Sequence, residues 1–254
     1  MTYFALGYWV PGLALMLSTV SAAVALACLR HARHTDSTRV LLLWQFAAGG
    51  AFGGVGAAMS LCICLLGVEV SGSRIRYDLG TLNICSALSG FSVMLALIIA
   101  GATPRGIRLA LAAVVMGAGL TGVTVLAFAS IRIQGHVEYV PWTIAVAFVI
   151  ATAISFTLLA LGPTSTSSVR DAALAAGYGI AMLAVYYCGL FGLHAVVSTA
   201  ARPPVGTDMA VVLIRFLIIA TPSLSVPITA TLGAPDRKPR PEPAWYAPIP
   251  REPA

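Results

Sequence analysis

The chain has 254 residues, of which 59% are hydrophobic and 9% charged, and its mean hydropathy is +0.91. A water-soluble domain of this size cannot hide so much apolar surface, because its exterior still needs polar cover. The formal net charge of +6 is explained below by how arginine is distributed, so a nucleic-acid partner is not needed to account for it.

Seven apolar runs follow one another, each long enough to cross a hydrocarbon core of about 30 Å. In lipid the backbone must satisfy its own hydrogen bonds, so each run is predicted to be a helix. The first, 8–29, is too long for a secretory signal and lacks the basic flank and cleavage site of one. A basic connection with His31 and His34, read as solvated loop residues, leads to the second, 40–66. That run holds GGAFGGVG, Gly49 to Gly56, and then Met59, Ser60, Cys62 and Cys64. Its small residues are expected to let helix backbones approach closely, and it lacks the Lys-Ser/Thr of a phosphate loop. The third run, 79–101, contains Cys85 and is preceded by IRYD, Ile75 to Asp78. The fourth and fifth are 107–130 and 140–161.

The sixth run, 170–199, contains AVYYCGLFGL, Ala184 to Leu193, with two tyrosines, a cysteine and two glycines. The seventh, 210–232, carries Arg215 near its start and Pro222 and Pro227 further on, where kinks are expected. Residues 1–232 thus form one membrane domain. The remainder, 233–254, is rich in proline and charge and reads as an extended tail. Two readings of the tail stand: a solvated terminus, or a strip that docks a partner protein through Trp245 and Tyr246.

Arginine sets the expected orientation. Arg30, Arg33, Arg39, Arg105, Arg108, Arg170, Arg237, Lys238, Arg240 and Arg251 fall on one side of the bilayer, against Arg74, Arg76, Arg132 and Arg202 on the other. The positive-inside rule places the richer side in the cytoplasm, with the N-terminus outside. Arg215 is the one cation inside a span. It either snorkels to headgroups or pairs with Asp78, Asp208, or Tyr186 and backbone carbonyls.

The runs also repeat. Tyr8, Tyr77 and Tyr139 stand at the entrances of the odd-numbered spans, 69 and 62 residues apart. The even-numbered spans each have a glycine followed six residues later by a large apolar residue: Met59, Val123 and Val185, 64 and 62 residues apart. The expected fold is all-α, with seven transmembrane helices arranged as three parallel two-helix repeats plus one.

That pattern resembles the MHYT-domain family of bacterial seven-helix membrane sensors. In that family the even-numbered helices carry M-G-x-x-I-x-x-M-H-Y-T-G-M near the outer face, and repeat entrances often read like IRYD. The resemblance covers about residues 8–232. It implies a site where methionine and histidine hold a metal, copper among the candidates, to sense a diatomic gas.

Residue by residue, the motif is degenerate. Met59 matches the first motif methionine, Ser60 stands at the histidine, and Cys64 at the second methionine. In the fourth span Met116 and Gly117 match the opening, while Val123, Thr124 and Phe128 replace Met, His and Met. In the sixth, Val185, Tyr186, Tyr187, Cys188, Gly189 and Leu190 lie over M-H-Y-T-G-M, with only Tyr187 and Gly189 retained.

A replacement ligand set is offered by Cys62, Cys64, Cys85 and Cys188, with Met59 and His194 on the same side, since thiolate and thioether suit Cu(I); a disulfide between cysteines is the other reading. Cysteine is equally an ordinary small residue of packed helices, and no standard zinc or redox spacing occurs. Nor do paired intramembrane carboxylates or a triad-bearing histidine appear. The expectation is therefore a non-catalytic membrane protein without a cofactor, an accessory subunit or partner-binding scaffold derived from a sensor. The alternatives are a stand-alone sensor of metal, redox state or gas, and a small-molecule transporter or binding protein. The alanine-rich, lysine-poor composition fits the cytoplasmic membrane of a high-GC bacterium.

Overall fold

A computed structural model describes residues 6–33, 35, 37–70, 73–101, 105–162, 167–197 and 204–233. It contains seven helices long and apolar enough to cross a membrane. We number them α1 (Trp9–Arg33), α2 (Thr38–Leu66), α3 (Leu79–Ala100), α4 (Gly106–Ala129), α5 (Pro141–Leu161), α6 (Ser168–Phe191) and α7 (Met209–Gly233). Their ends follow local chemistry. Asp78 caps α3 by accepting hydrogen bonds from the N–H groups of Gly80 and Thr81, and Pro141 opens α5, where its missing donor costs nothing.

The first six helices close a ring in chain order, with α6 packing back on α1, and α7 lies outside it against α1 and α2. As a result α2 is covered on most sides: 83% of its most apolar window is buried, against 22% for α7. Glycines set the closest approaches. A Cβ added to Gly53 of α2 would lie 2.6 Å from the carbonyl carbon of Ser89 on α3. Gly117 of α4 meets Thr152 of α5 in the same way, and Gly179 of α6 meets Thr19 and Leu15 of α1.

The links α2–α3, α4–α5 and α6–α7 come together at one end of the bundle, here the ribbon end. There β1 (Arg76–Tyr77) pairs antiparallel with β2 (Ile131–Arg132), Tyr77 opposite Ile131. Likewise β3 (Gly135–Tyr139) pairs with β4 (Leu193–Val197), and Tyr77 bridges Thr207.

Several boundaries need correction. The sixth helix does not run to residue 199: Gly192 ends it, and Leu193–Val197 is a strand, because its backbone finds partners across the chain in β3. Arg30, Arg33, Arg39, Arg108 and Arg170 lie within helical ends rather than in loops. His31 is also helical. Its Nδ1 lies 3.0 Å from the Ala27 carbonyl and its ring stacks on Trp44 at 5.1 Å. His34, Arg202, Arg237, Lys238, Arg240, Arg251, Trp245 and Tyr246 lie outside the described residues.

Candidate functional site

The centre of the bundle is a stretch of α2, Gly50–Met59, wound as a π-helix. Such widened turns often mark functional sites, and other groups can insert where the ordinary ladder is disturbed. Three neighbouring helices supply those groups. Tyr178 of α6 donates to the Phe52 carbonyl at 2.8 Å, Ser89 of α3 to Gly53 at 2.8 Å and Ser18 of α1 to Gly56 at 2.9 Å. Tyr186 of α6 donates to the carbonyl of Ala57. The Ser18 hydroxyl also lies 2.7 Å from that of Ser60. All five hydroxyl-bearing residues are buried, and the Phe52 ring packs edge-on against Tyr178 at 5.2 Å.

The degenerate motif residues fall in and beside this layer. Met59, Ser60, Cys64, Val123, Thr124, Val185, Tyr186 and Gly189 are buried, while Tyr187 and Cys188 are half-buried. Ser60 and Tyr186, at two positions that the resemblance compares with histidines, are engaged with Ser18 and with α2. Thr124, at the third, donates back to its own helix at Leu120, 3.1 Å away. Gly189 faces Phe128 of α4, where a Cβ would come within 2.6 Å of the ring. Val123 and Val185 offer no donor atom. The hydroxyls of Ser60, Thr124 and Tyr186 are all engaged with protein oxygens.

The cysteines are free thiols. Cys28, Cys62, Cys64 and Cys85 are buried, and Cys188 is half-buried. Cys62 sits near both Cys64 and Cys85. Among the described residues no three of His, Cys, Asp and Glu converge as a metal site would need.

A second cluster, unforeseen from sequence, latches the ribbon end. Arg76 pairs with Asp208 at 2.5 Å, and Arg132 with Asp78 at 3.4 Å. The Asp78 N–H donates to the Ser130 carbonyl at 3.0 Å, and the Tyr77 hydroxyl to Leu65 at 3.2 Å. The N–H of Thr81, followed by that of Gly80 and by Arg132, holds the Asp78 carboxyl below its ordinary range, and burial pushes the Tyr77 phenol up. IRYD is therefore a fastening between three links. The three entrance tyrosines are not alike: Tyr77 is buried, whereas Tyr8 and Tyr139 are exposed. At the opposite end Arg30 of α1 pairs with Asp171 of α6 at 2.5 Å.

Arg215 finds none of its expected partners. It is exposed on α7, Asp208 is taken by Arg76, Asp78 by Arg132, and the Tyr186 hydroxyl by Ala57. The GGAFGGVG segment also divides. Gly49, Gly53 and Gly56 abut neighbouring helices, but a Cβ on Gly50 or Gly54 would meet nothing within 4 Å. The expectation of close packing holds for the first three and is corrected for these two, which border an open groove.

The fold thus defines a multi-helix chain with seven spans suited to a membrane. No family model, curated protein or solved structure matches it.

Proposed function

We propose that the chain is a non-catalytic protein of a bacterial cytoplasmic membrane, an accessory subunit or scaffold built on an MHYT-like bundle whose sensing chemistry has been replaced by structural hydrogen bonds. The observation that carries this reading is the use made of the motif positions. Tyr186 and Ser60 stand where the resemblance would put metal-binding histidines, and their hydroxyls tie α6 and α1 to α2. Buried polar groups bonded in this way rigidify a bundle, and these hydroxyls are committed to protein oxygens.

The three-repeat arrangement is part of the proposal. Its support is the recurring contact of Gly53, Gly117 and Gly179 with a hydroxyl-bearing residue of the next odd-numbered helix, namely Ser89, Thr152 and Thr19. In this reading α7 is the added seventh helix, the ribbon end faces outward, and the basic tail, with Trp245 and Tyr246, faces the cytoplasm and is available to a partner.

The test is gentle detergent extraction of the native protein, with partner identification and metal content measured in one sample. Stable co-purification of a membrane complex with well under one copper per chain is expected. Stoichiometric copper that is lost in Cys64→Ser or Cys188→Ser would overturn the scaffold reading in favour of a thiol-based sensor.

A further inference from the structure

A groove of about 690 Å³ opens sideways between α2, α3 and α7. Its walls include Phe46, Gly54, Phe91, Met94, Phe216 and Ile219. Phe46, Phe91 and Ile219 are more than half exposed, so the groove faces the surrounding hydrocarbon rather than a closed interior. Along the α-helical α3 it extends from Ile84 to Met94, about 15 Å at 1.5 Å per residue, matching the ~15 Å depth of one leaflet's hydrocarbon. Its floor is open because Gly50 and Gly54 carry no side chain and nothing else lies within 4 Å of where a Cβ would sit.

Beside the groove on α7 stands Arg215, next to the lining residues though not one of them. At 100° per residue Phe216 and Ile219 lie about 60° apart around the helix, and Arg215 about 40° beyond Ile219. Arg215 is one turn from Ile219 on the same face. Helical side chains lean toward the helix N-terminus, which for α7 is the ribbon end, so the guanidinium reaches toward the nearer membrane interface. Arg215 is exposed, with no ion pair or hydrogen bond among the described residues. An apolar slot deep enough for an acyl chain, with an unpaired cation at its interfacial end, is complementary to an amphiphile with an anionic head.

We propose that this groove binds one acyl chain of an anionic phospholipid from the leaflet at the ribbon end, with Arg215 holding the phosphate. The site is independent of the scaffold reading and of which side of the membrane the ribbon end faces. Between α4 and α5 a second slot, lined in part by Ala118, Gly122 and Phe148, is shallower and has no third helix as a wall. This contrast makes α7 the element that creates the site.

The test uses purified full-length protein in nanodiscs of phosphatidylcholine doped with phosphatidylglycerol or phosphatidylcholine carrying a diazirine on the acyl chain, with crosslinks mapped by mass spectrometry. Phosphatidylglycerol should label the Phe91–Met94 and Phe216–Ile219 peptides about five-fold more than phosphatidylcholine, the preference one arginine near a headgroup confers. Arg215→Leu should abolish the preference, and Gly54→Leu should suppress labelling of the groove by both lipids. Equal labelling by the two lipids in the wild type would reduce the groove to ordinary lipid contact and overturn the proposal. So would protection of the groove by a second copy or by another protein's helix, read as protein–protein crosslinks through the same peptides. Melting in undoped phosphatidylcholine discs checks that both variants fold. Should Gly54→Leu fail that check, the Arg215→Leu comparison decides alone.

Discussion

Asp78 carries several functions in one side chain. It caps α3, pairs with Arg132, and its N–H anchors the link before α5. Because its folded pKa is lowered, its charge contributes stability that is fully present above the ordinary carboxylate value, about 3.9. That contribution is lost as pH falls through the lower folded value. Asn also caps helices, so Asp78→Asn isolates the charge. The variant should melt below the wild type at pH 7 in nanodiscs, and the gap should close as the pH is taken toward 3. A gap that does not change with pH would show that the carboxylate charge is irrelevant to the latch. Gly53 and Gly54 make the complementary point. They are neighbours in the chain and chemically identical, yet one touches the α3 backbone and the other faces open space. Nothing in the local sequence distinguishes them, because adjacent residues point about 100° apart and the difference lies in what the fold puts opposite each.

At the scale of elements, α2 depends on its neighbours more than any other helix. Its π-wound stretch accepts hydroxyl donors from α1, α3 and α6 at four positions, Phe52, Gly53, Gly56 and Ala57. Tyr186→Phe and Tyr178→Phe should each cost about 1 kcal/mol of unfolding free energy, the typical net worth of such a bond, with ~0.6 kcal/mol the mean found between membrane helices. Since both donors hold one stretch, the double variant should show coupling rather than simple addition. Reversible unfolding in bicelles measures this, and two neutral single variants would remove the hydroxyls from the account of the core. In α7, Pro222 and Pro227 each withhold a backbone donor, yet the helix continues through both. Thr221 and Ser223 bond the carbonyls of Leu217 and Ile219 nearby, in keeping with how transmembrane helices accommodate proline.

For the whole molecule, the arginine asymmetry and the gathering of three links at the ribbon end can be tested together. The native cysteines are buried or half-buried, so engineered surface thiols should report with little background. A thiol at Arg74, exposed at the ribbon end, should react with an impermeant reagent added to intact cells. One at Arg105, exposed at the other end, should react only after lysis. The reverse pattern would invert the proposed orientation.

Much of this architecture was legible without coordinates. Crossing a bilayer demands about 20 consecutive apolar residues, a purely local property, so all seven spans could be located from composition along the chain. Most boundaries agree within a few residues. The exception, 193–197, was apolar enough to pass for helix but forms β4 because its backbone pairs with β3, more than fifty residues earlier. The glycines of the even-numbered spans could be recognised by their period, and their role as contact points agrees with the structure at Gly53, Gly117 and Gly179. What only the tertiary structure decided are the long-range partners. Arg30 meets Asp171 across 141 residues, Tyr186 meets Ala57 across 129, and Arg215 stays exposed while its candidate carboxylates pair with Arg76 and Arg132. Hydrophobicity accumulates residue by residue and can be read in a window. A hydrogen bond, an ion pair or an open groove exists only once helices distant in sequence are packed side by side, and no window along the chain contains both halves of it.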